Sequence, residues 1–193
     1  MGLDHRIGDK FLHAGPGYGG SCFPKDTSAL TKIGEDHGAA QTITNAAISV
    51  NENTKARMVE KIVALCDGDV AGKTLAVLGV TFKPNTDDMR DAPSLSILPA
   101  LQQLGAQINV VDPHGKSEGE ALLPAVTWYK EAYGAATGAD AVVVLTEWNE
   151  FRGLDLARVA GVMRAPKMAD LRNIFERDLV LSAGFKAYVG VGR

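Results

Sequence analysis

After residue 70, the apolar residues form short continuous runs, and segments of helical spacing separate them. The runs predict strands over 74–80, 108–111, 126–128, 141–145, 167–171 and 187–191. Short, wholly apolar runs are typical of strands that are buried on both faces. The segments between the runs predict helices over 94–104, 131–137, 154–163 and 174–183. This alternation indicates an α/β fold with a Rossmann-like parallel sheet covered by helices.

Ligands of such sheets bind beyond the carboxyl ends of the strands. The segments predicted to lie at that edge are 81–93, 112–123, 146–153 and 172–173. Lys83 and Arg90 fall in the first of them and are candidates for phosphate contacts, the alternative being a solvated charged loop. Asp112 ends the second strand, where a dinucleotide fold binds ribose. The turn after the first strand lacks the glycine motif of such folds, so we expect this sheet to hold something other than NAD in the standard position.

The segment before residue 70 is helical in pattern. Apolar side chains at helical spacing predict one long helix over 42–65, and they are Ile43, Ala47, Val50, Met58, Ile62 and Leu65. A shorter helix is predicted over 27–37, with Asp26 or Thr27 as its cap and Gly38 at its end. Gly68 and Gly72 then break the pattern. We therefore predict two domains, residues 1–70 and residues 71–193.

A glycine-rich loop opens the chain. Gly15, Gly17, Gly19 and Gly20 fit the pattern G-x-G-x-x-G, with an acidic residue 20 positions after the first of them. The context of a dinucleotide motif is missing, because too few residues precede the loop for a first strand and Pro24 interrupts the predicted helix. We interpret the segment as a loop whose backbone approaches a ligand closely. A plain flexible turn is the alternative.

Cys22 follows that loop. Small neighbours leave its sulfur accessible, and Lys25 and a helix start favour the thiolate. Asp26 supplies a carboxylate one turn further on, so the group suggests covalent chemistry. A buried structural cysteine is the alternative. Cys66, at the end of the long helix, is interpreted as a structural thiol.

Composition limits the function classes. The 193 residues carry 20 Lys and Arg against 23 Asp and Glu, a net charge of −3, which argues against a nucleic-acid or membrane-surface binder. No apolar run reaches the roughly 18 residues of a membrane span. The charged start MGLDHRIGDK does not resemble a signal peptide, so we expect a cytoplasmic protein without disulfides. The four histidines have no metal-binding spacing.

The segment FLHAGPGYGGSCFPKDTSAL, residues 11–30, closely resembles the active-site segment of the UDP-glucose 6-dehydrogenases, a branch of the nucleotide-sugar 6-dehydrogenase family. The resemblance continues through four further motifs, which are Arg6-Ile7-Gly8, Gly79-Val80-Thr81-Phe82-Lys83 with Asp87 and Arg90, Asp112-Pro113, and Asp170-Leu171-Arg172-Asn173. It therefore spans essentially the whole chain.

The resemblance implies a double oxidation of a primary alcohol to a carboxylate, with UDP-glucose as substrate, UDP-glucuronate as product and NAD as the oxidant. A family cysteine holds the intermediate as a thiohemiacetal and then a thioester, which is hydrolysed. By resemblance Cys22 is this nucleophile, and Asp26 orients or activates water.

The resemblance also implies binding roles. The substrate-binding backbone comprises His13, Ala14, Gly15, Pro16, Gly17, Tyr18 and Gly19. Phe82, Lys83 and Arg172 are expected to bind substrate in the second domain, and Arg6 to reach the substrate of a neighbouring subunit. Lys25 and Arg90 are expected to face NAD across the cleft.

The chain also departs from the family pattern. Family members begin with an NAD-binding Rossmann domain and a central helix with a catalytic lysine, and neither matches these residues. We therefore expect this chain to correspond to the second half of a family member and to be inactive by itself. Because its long helix would expose an apolar stripe, we also expect a homo-oligomer such as a dimer. The alternatives are a UDP-sugar-binding module without redox activity and a portion of a GDP-mannose 6-dehydrogenase.

Overall fold

The fold was analysed in a computed structural model that describes residues 1–8 and 12–192. Phe11, the first residue of the resembling segment, and Arg193, the last of the second predicted domain, lie outside the described residues. Two helices come first: α1 (Phe23–Asp36) and α2 (Thr42–Leu65). The long helix predicted over 42–65 is confirmed at both ends.

A six-stranded sheet follows the two helices. Its strands are β1 (Thr74–Leu78), β2 (Gln107–Val111), β3 (Thr127–Trp128), β4 (Ala141–Val144), β5 (Lys167–Asp170) and β6 (Ala187–Gly190). All neighbouring strands are parallel, and their order is β3-β2-β1-β4-β5-β6. The predicted α/β fold with a parallel sheet is confirmed.

Helices connect the strands and cover both faces. They are α3 (Ser94–Gln103), α4 (Lys116–Leu122), α5 (Ala132–Ala136), α6 (Asn149–Arg152), α7 (Leu156–Val162) and α8 (Arg177–Ser182). Along β1, Leu75 and Val77 point into one hydrophobic cluster, while Ala76 and Leu78 point into the other. This alternation buries both faces of the strand, which explains its continuously apolar sequence.

The C-terminal half of α2 packs on the sheet. Met58, Ile62 and Leu65 are buried in the same cluster as Leu75 and Val77. Apolar side chains of the N-terminal half face solvent, since Ile43 is 87% and Val50 59% exposed. Among the described residues, no helix is both long enough and apolar enough to cross a bilayer. The domain division near residue 70 stays a prediction.

The start of α1 differs from the prediction. The helix begins at Phe23, four residues before the predicted start, and Cys22 is its N-cap without a side-chain cap bond. Asp26 and Thr27 are therefore not caps. Pro24 does not interrupt the helix but lies in its first turn, where no backbone N–H is needed for the intrahelical bonds. Gly38 has φ +66°, as expected of the residue that ends the helix.

Two segments predicted as loops contain short helices, α4 within 112–123 and α6 within 146–153. In addition, α8 begins at Arg177 and not at 174. The cause of the late start is Asp170, whose carboxylate accepts the backbone N–H of Phe175 at 2.8 Å and holds that residue in a turn.

Candidate functional site

The strand order places a crevice at the carboxyl edge between β1 and β4. The connections from these two strands leave in opposite directions, and ligands of open α/β sheets bind where this happens. Residues 79–82 follow β1, residues 145–147 follow β4, and residues 171–173 follow β5. These three segments and the glycine-rich loop, residues 15–20, form the candidate site.

Asp112 is fully engaged by the protein itself. Its carboxylate accepts the backbone N–H groups of Val80 at 2.7 Å, Thr81 at 3.2 Å and Gly115 at 2.7 Å. The indole N–H of Trp148 donates to it at 3.3 Å. Because the carboxylate is buried and closes the turn after β1, it is not free to bind a ribose. The carboxylate is therefore already occupied at the position where a dinucleotide fold binds ribose.

Arg172 ties the loops of the crevice together. Its Nε donates to the carbonyl of Leu145 at 2.7 Å, and its Nη2 donates to the carbonyl of Phe82 at 3.2 Å. Glu147 Oε2 lies 3.0 Å from Nε as an ion-pair contact and accepts no hydrogen bond from the described residues. Burial lowers the pKa of Arg172, and the charge of Glu147 opposes that shift. A Cβ on Gly15 would lie 3.0 Å from Nη1, so this arm faces the glycine loop.

The glycine loop rests on the segment after β1. The N–H of Gly20 donates to the carbonyl of Arg90 at 2.8 Å. A Cβ on Gly19 would overlap the carbonyl of Asp91, and one on Gly20 would lie 2.8 Å from the ring of Phe82. Sequence analysis assigned the glycines to close approach of a ligand. At positions 19 and 20 the close approach is to the protein's own backbone and ring.

The other side of the loop contacts α2. Asn51 exchanges two hydrogen bonds with the backbone of Tyr18, and Lys55 lies beside Gly17. Sequence analysis missed both residues. A signal was present, because residues 47, 51, 55, 58 and 62 share one helical stripe, and polar residues in a buried stripe are uncommon unless partnered.

Cys22 is exposed, so the interpretation as a buried structural cysteine is wrong for this residue. Its Sγ lies 3.6 Å from Ser21 Oγ. Lys25 and Asp26 follow in the first turn of α1, exposed and 3.4 Å apart. Cys66 is buried as predicted, and burial raises the pKa of its thiol. Within residues 1–8 and 12–192, no group of three His, Cys, Asp or Glu side chains could hold a metal ion.

Most of the other predicted site residues are exposed. Arg6 is exposed, and its guanidinium pairs with Asp4 at 2.7 Å. The Lys83 ammonium lies 5.1 Å from the centre of the Phe82 ring. Arg90 is exposed and bonds Asp88, whose pKa it lowers through those hydrogen bonds. His13 and Ala14 are exposed, and Pro16 is buried.

Two family models match the chain. Residues 76–177 match the UDP binding domain of the UDP-glucose/GDP-mannose dehydrogenase family, and residues 1–53 match its central domain. A UDP-glucose 6-dehydrogenase of Rhizobium meliloti is 49% identical over 193 residues, which are 100% of this chain and 44% of that relative. UDP-glucose 6-dehydrogenase TuaD of Bacillus subtilis is 43% identical, covering 100% of this chain and 42% of the relative. The chain thus spans less than half the length of these relatives.

Solved structures agree with the fold. A UDP-glucose dehydrogenase from Pyrobaculum islandicum superposes with a TM-score of 0.83 at 34% identity, over 98% of this chain and 41% of that one. An NDP-N-acetyl-D-galactosaminuronic acid dehydrogenase from Methanosarcina mazei gives 0.77 at 28% identity, over 93% of this chain and 39% of that one.

Proposed function

Because this chain belongs to the UDP-glucose/GDP-mannose dehydrogenase family and contains its UDP binding domain, we propose that it is the C-terminal part of an NAD-dependent UDP-glucose 6-dehydrogenase. In this role it carries the nucleophile and the UDP-sugar site. The observation that carries the proposal is the junction of Arg172, Phe82 and the glycine loop at the carboxyl edge of the sheet.

UDP-glucose lies in the crevice between β1 and β4. The Nη1 group of Arg172 faces the glycine loop and is available to oxygen atoms of the sugar nucleotide. Its Nε and Nη2 groups donate to the backbone carbonyls of Leu145 and Phe82. The backbone of residues 13–19 wraps the ligand, and Phe82 and Lys83 border it. Arg6, whose guanidinium is exposed, serves the site of a neighbouring subunit in a homo-oligomer.

Cys22 performs the covalent part of the reaction. After the first oxidation its thiolate adds to the aldehyde carbon C6, and a proton goes to the former carbonyl oxygen, which gives a thiohemiacetal. Loss of hydride from C6 and of the hydroxyl proton converts this to a thioester. Water then adds, assisted by Asp26, and the thiolate leaves the carboxylate product. NAD, when bound, accepts the hydride of each oxidation.

NAD reaches these residues from outside the sheet. Since Asp112 closes the standard position, NAD meets exposed cations at the margin, namely Lys25 and Arg90. They lie on the two segments that the bond from the Gly20 N–H to the Arg90 carbonyl joins. We expect the 193 residues alone to bind the sugar nucleotide without oxidising it.

Calorimetric titration of the chain with UDP-glucose tests the sugar-nucleotide site. We expect binding to wild type and about tenfold weaker binding to Arg172→Ala, the scale of losing a hydrogen bond to a charged group. The matched control is Arg177→Ala, which removes an exposed arginine at the start of α8 and leaves the affinity unchanged.

Two results would count against the proposal. If a folded wild-type chain gives no heat of binding with UDP-glucose, the proposed substrate site is wrong. If the chain binds GDP-mannose and UDP-glucose with equal affinity, its assignment to the UDP-glucose branch is contradicted.

A further inference from the structure

Asn51 stands between α2 and the loop that leads to Cys22. We infer that it is a positioning residue, which holds the glycine loop, and with it Cys22, in the conformation that contacts the sugar end of the nucleotide sugar. The ligand in this statement rests on the proposed function. The restraint on the loop does not.

The contact is reciprocal. The backbone N–H of Tyr18 donates to Asn51 Oδ1 at 2.8 Å, and Asn51 Nδ2 donates to the carbonyl of Tyr18 at 3.2 Å. A carboxamide offers one acceptor and one donor on the same short side chain, which matches one peptide unit of a loop. Asn51 is only 7% exposed, so little water is available to replace either bond.

The loop depends on this contact because it belongs to no helix or strand. Its backbone groups need partners outside regular structure. Gly17 has φ +126°, and a Cβ there would lie 2.8 Å from Asn51 Oδ1, so the chain passes directly over the amide. The next tether is the bond from the Gly20 N–H to the Arg90 carbonyl at 2.8 Å. Tyr18 and Gly20 are thus fixed at two points just before Cys22.

Two further features connect the contact with Cys22. The ring of Tyr18 packs edge-on against that of Phe23, with centroids 4.7 Å apart, and Phe23 is the neighbour of Cys22. A cavity of about 160 Å³ adjoins the contact and is lined by Tyr18, Pro24, Asn51 and Lys55, among others. Without the amide, the loop therefore has room to move away from its position.

Hydrogen exchange at single amides tests the restraint in the 193-residue chain. In Asn51→Ala, we expect the amides of Tyr18 and Gly20 to exchange at least about tenfold faster, the scale of one lost hydrogen bond. Asn51→Asp keeps the acceptor for the Tyr18 N–H but opposes the Tyr18 carbonyl, so its exchange rates fall between those of wild type and Asn51→Ala. Asn53→Ala, an exposed asparagine on the same helix, is the matched control and leaves both rates unchanged.

Ligand binding separates positioning from general loss of structure. We expect Asn51→Ala to weaken UDP-glucose binding about tenfold and to leave UDP binding within about twofold. The reason is that Asn51 holds the part of the loop next to Cys22, which meets the sugar, and UDP lacks that sugar. Alkylation of the buried Cys66 monitors global unfolding in the same samples. If Cys66 becomes reactive in Asn51→Ala, the comparison is made with Asn51→Asp.

The outcomes separate the two claims. Wild-type exchange rates at Tyr18 and Gly20 in a folded Asn51 variant overturn the inference, as does an equal loss of affinity for UDP and UDP-glucose. A wild-type chain that binds neither ligand overturns the proposed function, and the exchange rates still decide whether Asn51 holds the loop.

Discussion

Replacing Cys22 by serine is expected to lower the rate of NADH formation from UDP-glucose by a factor on the order of 10³ or more, the scale of losing a covalent nucleophile. A serine hydroxyl has no accessible anion near neutral pH and cannot take over the thiolate's role. The measurement is NADH absorbance in a chimera that joins this chain to the preceding residues of the Rhizobium meliloti relative. The affinity for UDP-glucose is expected to stay within about twofold, because Cys22 forms no bond in the ground-state complex.

The chain supplies its own matched control for this change. Cys66→Ser also removes one sulfur, but Cys66 is buried at the end of α2 and lies outside the proposed site. It is expected to retain the NADH rate while losing some stability, since a hydroxyl replaces a buried thiol. A Cys22→Ser chimera that keeps its rate within about tenfold of wild type contradicts the assignment of the nucleophile. If the 193 residues alone form NADH from UDP-glucose, the proposal that they bind the sugar nucleotide without oxidising it is contradicted.

Replacing Gly19 by alanine is expected to weaken UDP-glucose binding about a hundredfold, which corresponds to about 3 kcal/mol of overpacking. The added methyl group would overlap the carbonyl of Asp91. The position of the methyl group is fixed by the backbone of residue 19, and its neighbour is a backbone carbonyl, so no side-chain rotation can relieve the overlap. The loop must then leave the segment after β1, and it takes the Gly20–Arg90 bond and Cys22 with it. Calorimetric titration of the variant measures the effect.

Gly161→Ala is the matched control for that change. Gly161 lies in α7, and none of the described atoms outside its own helix lies within 4 Å of where its Cβ would stand. This substitution is expected to raise the free energy of unfolding by about 0.5–1 kcal/mol, since alanine favours a helix interior, and to leave binding unchanged. Gly19→Ala with wild-type affinity would show that the loop does not form part of the ligand site.

The sheet was predictable from the sequence because its strands are buried on both faces. Continuous apolar runs such as 141–145 have no competing interpretation once helices alternate with them. Helix starts were less predictable. The start of α1 depends on Pro24 lying in a first turn, and that of α8 on the turn that Asp170 holds through the N–H of Phe175. Both are effects of single residues that periodicity does not register.

The site residues that could be predicted from the sequence were those that lie in recognisable motifs. Cys22 and Arg172 were identified from motifs, and the structure places Cys22 on the surface and Arg172 under the glycine loop. The position of Asn51 in the apolar stripe of α2 was a signal that it has a partner. The partner itself could not be identified, because it is a backbone group 33 residues away and side-chain patterns do not register backbone groups. The role of Asp112 was equally hidden, since most of its contacts are with backbone N–H groups, in the turn after β1 and just after β2.

The central claim is that a UDP-sugar site and Cys22 adjoin each other in these 193 residues. The most direct test is the rate of Cys22 alkylation by iodoacetamide with and without saturating UDP-glucose, with Cys66 in the same chain as the internal reference. The account predicts that UDP-glucose slows alkylation of Cys22 at least about tenfold, as expected when a bound ligand covers a reactive thiol. GDP-mannose at the same concentration should leave the rate unchanged. An alkylation rate that is the same with and without UDP-glucose would contradict the account.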